Sequence, residues 1–123
     1  MALSKTEFVI LTATMPNNDT LTDAVDVGSL QLDALVVPAT VAAALTFQVS
    51  HDGALFQDLY QADGTEVSIQ SSTHERSYPV PAELRGWPYC KIRSGTGASP
   101  VTQTDFDSSG GPGEFYFVAR PTP

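Results

Sequence analysis

Few residues of this chain have types and spacings that could do chemistry. A transfer or hydrolytic centre needs a nucleophile beside a base and an orienting acid. His51 and His74 are its two imidazoles, and neither sits in an HxxxH, HxH or Cys/His spacing that would converge on zinc. His51 precedes an Asp-Gly turn and His74 closes the polar run Ser71-Ser72-Thr73, so both read as solvated loop residues. The single cysteine, Cys90, lies between Tyr89 and Lys91 in an alternating segment without a glycine-rich elbow. A cysteine so placed packs as a small hydrophobe rather than acting as a nucleophile. Gly-x-Ser-x-Gly is absent, and the nearest string, Arg93-Ser94-Gly95-Thr96-Gly97, reads as a turn leaving a strand. No catalytic, cofactor or metal residue is expected, and the chain reads as a non-enzyme.

The acids and aromatics carry softer signals. Asp52, Asp58, Asp63 and Glu66 could supply the paired carboxylates of a glycosidase, but all four flank hairpin turns, where solvated acids are expected. Asp105 and Asp107 form an Asp-x-Asp pair that resembles calcium-chelating turns, without the spacing of an EF-hand loop. Trp87 and Tyr89 could stack on sugar rings as aromatic platforms do, although Gly86-Trp87-Pro88 has the composition of a sandwich corner whose aromatic belongs to the core. If Cys90 and Ile92 face inward, strand alternation sends Lys91 and Arg93 to the other face. There they are either a polar contact surface or two solvated cations.

The elements that must position these residues are strands. Nine prolines and nine glycines are spread along the chain, and no window keeps apolar residues at a helical period for three turns. The most helix-like run is 39–45, at most one turn after Pro38. Short alternating segments bounded by Gly, Pro, Asn and Asp predict strands over 7–13, 24–27, 30–37, 44–50, 56–61, 66–70, 75–80, 89–93 and 115–120. The clearest sets Leu45, Phe47 and Val49 on one face against Thr46, Gln48 and Ser50 on the other. Turns at Asp52-Gly53 and Asp63-Gly64 then make 46–69 a three-strand meander. The expected architecture is an all-β, jelly-roll-like sandwich of about eight short antiparallel strands. It forms one domain over 1–123, with loose ends at 1–5 and 120–123 and a long loop at 105–113.

Composition narrows the function classes. A chain of 123 residues can build a core without disulfide or metal staples, and one cysteine fits synthesis in a reducing compartment. Fourteen acidic against six basic side chains give a net charge of -8, which disfavours nucleic acid and anionic membrane surfaces as direct partners. The short apolar run Phe8-Val9-Ile10-Leu11 is broken at once by threonines, so neither export nor membrane insertion is expected.

Several strings in order resemble small structural proteins of tailed bacteriophages. These are Ala34-Leu35-Val36-Val37-Pro38-Ala39, Ala43-Ala44-Leu45-Thr46-Phe47-Gln48-Val49-Ser50-His51-Asp52-Gly53-Ala54-Leu55-Phe56, Asp58-Leu59-Tyr60, Gly64-Thr65-Glu66-Val67, Lys91-Ile92-Arg93-Ser94-Gly95-Thr96, Pro100-Val101-Thr102-Gln103 and the aromatic closing strand. The resemblance implies a virion component made in the host cytoplasm. It points to a decoration or cement protein on the outer capsid that clamps neighbouring major-capsid subunits, commonly as a homotrimer. Expected contacts are then Lys91 and Arg93, with Asp105, Phe106 and Asp107 in the long loop. Two other readings stand beside it: a carbohydrate-binding sandwich using Trp87 and Tyr89, and a tail or head-tail connector part.

Overall fold

The computed structural model describes residues 8–38, 41, 43–70, 76–104 and 112–121. Its strands are β1 (Val9–Met15), β2 (Val25–Asp26), β3 (Leu30–Val36), β4 (Leu45–Ser50), β5 (Gln57–Asp58), β6 (Ser68–Ile69), β7 (Ser77–Pro79), β8 (Tyr89–Ser94) and β9 (Gly113–Pro121). They form two antiparallel sheets, β1-β9-β3-β7 and β2-β8-β4-β5, with β6 also paired to β4. Because β5 and β6 line the same strand, they act as one interrupted strand, and the count becomes eight. In that count the pairs first–eighth, second–seventh, third–sixth and fourth–fifth are all neighbours. This is one long hairpin rolled up so that its eighth and seventh strands also meet its third and fourth, which is the jelly-roll architecture. The all-β sandwich expected from the alternating segments is the fold.

Alternation explains which face each strand buries. Leu45, Phe47 and Val49 on β4, Cys90 and Ile92 on β8, and Phe115, Phe117 and Ala119 on β9 all enter one contiguous core. In β3 the buried leucines are Leu32 and Leu35, three apart rather than two. A register shift between Leu32 and Ala34 accounts for this, because the extra residue, Asp33, turns the rest of the strand over. Burying each phenylalanine contributes roughly 2–3 kcal/mol over leaving it in water, so these side chains set the sandwich spacing.

Several expectations change. The 46–69 segment is not a meander: β5 pairs with Gln48 and Val49, and β6 returns to Leu45 and Thr46 along the same edge of β4. The chain between them leaves the sheet as a small hairpin, held by a Tyr60–Glu66 bridge and a hydrogen bond from the Gln61 amide to the Thr65 carbonyl. Buried Leu59 and Val67 anchor its two stems in the core, which is why the strand resumes instead of adding a third. Strand β1 runs two residues past the expected 7–13 segment and ends on fully buried Met15. Gly113 opens β9, and Arg120 and Pro121, expected in a loose end, complete it. Arg120 Nε pairs with Asp33 at 2.7 Å and Pro121 lies opposite Leu30. A 3-10 turn at Ala82–Leu84 follows Pro81, whose ring supplies the required φ, and drives Leu84 into the core. Of the run expected to be one helical turn, residues 39, 40 and 42 lie outside the described residues.

Candidate functional site

Strands β8, β4 and β5/β6 present their outward faces as cross-strand rows. Register places Arg93 beside Thr46 and Thr46 beside Ser68, and Lys91 beside Gln48 and Gln48 beside Asp58. Alternation therefore predicts the face of Lys91 and Arg93 correctly. The expectation that Arg93 meets solvent there is corrected: it is only 5% exposed. Two loops cover it, the excursion between β5 and β6 and the turn after β8. Its Nη1 donates to Asp58 Oδ1 at 2.7 Å, its Nη2 to Glu66 Oε2 at 2.6 Å and its Nε to Thr46 Oγ1 at 3.0 Å.

The partners are themselves tied down. Thr46 Oγ1 donates to the Gly95 carbonyl at 2.7 Å, and the Gly97 amide donates to both Glu66 oxygens at 3.1 Å. Gly97 lies so close that a β-carbon there would stand 2.5 Å from Asp58 Oδ2, so any larger residue would push on the acid side chains. One guanidinium thus joins β4, β8, both stems of the excursion and the turn at 95–97. Arginine suits the task because its fork holds two carboxylates at fixed angles. No buried side-chain nitrogen or oxygen lacks a hydrogen-bond partner among the described residues.

Beside this clamp the β4–β5 loop is organised by its own acid. Asp52 Oδ1 accepts the amides of Ala54 and Leu55 and the Ser50 hydroxyl, and these bonds hold its carboxyl down at about 2. Gly53 takes φ +81°, as the Asp-Gly turn requires, beneath the Tyr89 ring. Lys91 is half-buried with Nζ 4.4 Å from the Phe56 ring centre, where the negative face of the ring attracts its ammonium. The result is a rigid surface around β5 from which Leu55 (60% exposed) and Tyr60 (51%) project.

The other candidates fall as follows. Asp58 and Glu66 do converge, on the Arg93 guanidinium, while Asp52 and Asp63 accept hydrogen bonds in their own turns. Trp87 is half-buried and packs against the core, and the half-buried Tyr89 ring lies beside the Gly53 turn. Cys90 is buried and its thiol is pushed up to about 12 by burial, which leaves it uncharged at neutral pH. Exposed His51 sits 3.8 Å from Asp52. His74 and the 105–107 contacts, Asp105, Phe106 and Asp107, lie outside the described residues. Among the described residues no group of three or more His, Cys, Asp or Glu side chains is placed to hold a metal ion, and no helix is long and apolar enough to cross a membrane.

Sequence reasoning singled out Arg93 but missed Thr46, Gly95 and Gly97, and it took Asp58 and Glu66 for turn acids. The available signal was the row of polar residues on the outer face of β4. Their pairing with Arg93 is set by contacts 27 to 47 residues apart in the chain, which periodicity cannot report. Compared with known proteins, the chain matches no protein-family model and no curated protein.

Proposed function

We propose that this chain is a non-enzymatic virion structural protein of a tailed phage, a capsid decoration or cement protein that binds the outer capsid surface. There it stabilises contacts between major-capsid subunits. The ordered strings that resemble small phage structural proteins suggest the setting. The observation that carries the binding role is the surface around β5. Arg93, Asp58 and Glu66 fix the excursion from which Tyr60 projects, and Asp52 fixes the neighbouring turn from which Leu55 projects. Large apolar side chains on preorganised loops act as interface anchors, because little entropy remains to be lost when they dock. Avidity from many copies on a symmetric shell would multiply a modest single contact.

The test is copy number in virions by quantitative mass spectrometry, joined to shell binding by purified protein. A ratio near one copy per major-capsid subunit, with binding to mature shells weakened by Leu55→Ala and Tyr60→Ala, is the expected result. A handful of copies per virion would move the protein to the tail or neck. Complete absence from virions would end the phage reading.

A further inference from the structure

A jelly roll exposes four sheet edges, and this one blunts three of them. The β7 edge is three residues long and ends in Pro79, the β2 edge is two residues long and carries Asp26, and the β5/β6 edge is interrupted by the excursion. Short strands, prolines and charges are the devices that keep edges from pairing with other chains. The β1 edge has none of them. It runs for seven residues, Val9–Met15, and from Phe8 to Met15 there is no charged side chain in a chain of net charge -8. Phe8 is 53% and Ile10 48% exposed.

The backbone says how far this edge is open. Thr14 points away from β9: its amide donates to Asp23 Oδ1 at 2.9 Å and its carbonyl accepts the Asp23 amide at 3.0 Å. Antiparallel strands alternate bonding directions with period two, so Thr12, Ile10 and Phe8 point outward as well. Among the described residues nothing occupies the outward groups of Ile10 or Thr12. Asp23 closes the edge at one end and, among the described residues, none bonds the outward groups of 8–12.

We infer that this edge pairs with the same edge of a second copy of the chain, antiparallel and two-fold, joining two four-stranded sheets into one. The occupant is a second copy because 8–12 is complementary to itself in one register. Centring on Ile10 sets Ile10 opposite its symmetry mate, Phe8 opposite Thr12 and Val9 opposite Leu11, and keeps the occupied Thr14 outside the ladder. No two carboxylates on the strands face one another, whereas Asp26 stands on the β2 edge and Asp58 on the β5 edge of this acidic chain. An isologous contact of this kind makes dimers and cannot by itself close a ring of three. The inference does not depend on the capsid reading.

Sedimentation of the full chain across a concentration series tests it. A monomer–dimer equilibrium is expected for the wild type. Ile10→Lys, which sets two like charges at the symmetry centre, should give folded monomer, as should Ile10→Glu, and mixing the two variants should restore a dimer. Register is read by oxidation. Ile10→Cys brings the introduced thiols to hydrogen-bonded opposite positions, with Cα atoms about 5.5 Å apart, and should cross-link. Thr12→Cys leaves its pair about four residue steps apart, roughly 13 Å, and should not. Wild-type monomer at all concentrations, a trimer as the sole oligomer, or a dimer indifferent to both Ile10 substitutions would each overturn the inference.

Discussion

On the β5/β6 side of the sandwich the polar groups near the edge are tied inward, whereas on the β1 side no described residue bonds the outward backbone groups of Ile10 and Thr12. Arg93, Thr46, Asp58, Glu66 and two glycine backbones close the first side through bonds of 2.6–3.1 Å. On the second, one aspartate, Asp23, closes a single residue, Thr14. Both edges hang from the same phenylalanine core, so core strength does not explain the contrast. On one side the outward-facing groups are held by electrostatics and geometry, whereas β1 is held by pairing with β9 and by Ala13 and Met15 in the core, and its outward residues Ile10 and Thr12 add little. The first outer face should therefore be sensitive to single substitutions and the outward residues of β1 tolerant of them.

Arg93→Met should have the largest effect. It removes the one cation between two acids and keeps the apolar stem, and breaking a buried ion pair from one side costs about 3–5 kcal/mol. Asp58 retains about a third of its exposure, 32%, against 14% for Glu66, so the low end, about 3 kcal/mol, is expected from urea midpoints. Arg93→Lys should recover part of that loss, because an ammonium keeps the charge and loses the fork. A loss below about 1 kcal/mol for Arg93→Met would place the cluster among ordinary surface pairs and dissolve the contrast.

Gly95→Ala comes next. The residue has φ +89°, and a β-carbon would lie 2.5 Å from the Ser99 carbonyl oxygen and 2.6 Å from the Val101 amide nitrogen. Strain of about 2 kcal/mol should open the turn that covers the guanidinium. Glu66→Gln, at about 1–2 kcal/mol, should then exceed Asp58→Asn, since Glu66 is the more buried and also accepts the Gly97 amide. An inverted order would mean that the Gly97 contact contributes little.

How much of this was legible follows from the range of each interaction. Alternation is local, so the strand positions, the inward faces of Cys90 and Ile92 and the Asp-Gly turn at Asp52 could be read directly. The bulge that turns β3 over could not, because Leu32 and Leu35 break period two without any residue that announces why. The clamp was half legible. Parity put Arg93 on the outer face, but solvent exposure there depends on whether distant loops fold over it, and Gly97 reaches it only in three dimensions. The open edge of β1 was present as the apolar run Phe8-Val9-Ile10-Leu11. That it is an edge is a property of strand order, which single-strand patterns do not encode.

On the tolerant side, Ile10→Lys should change the unfolding free energy by no more than about 0.5 kcal/mol when measured where the chain is monomeric. Its side chain points outward at 48% exposure, and its backbone hydrogen bonds are not made with β9. A loss comparable to that of Arg93→Met would show that Ile10 is covered within one chain, and the two edges would no longer differ.

The smallest effect is acid-dependent and confined to the closed side. Bonds from Ala54, Leu55 and Ser50 lower the Asp52 carboxyl from 3.8 to about 2 in the folded chain. A depressed carboxyl stabilises its turn at pH values above the unfolded 3.8, and that contribution is lost as pH falls from there through about 2. Amide exchange should therefore show Ala54 and Leu55 losing protection across that window, while amides of β1 paired to β9, such as Leu11 and Ala13, keep theirs. Asp52→Asn should remove most of the pH dependence, because the neutral amide still accepts the two bonds but no longer titrates. If Leu11 opened at the same pH as Ala54, acid would be unfolding the sandwich as a whole, and the turn would not be an independently held part of the clamped side.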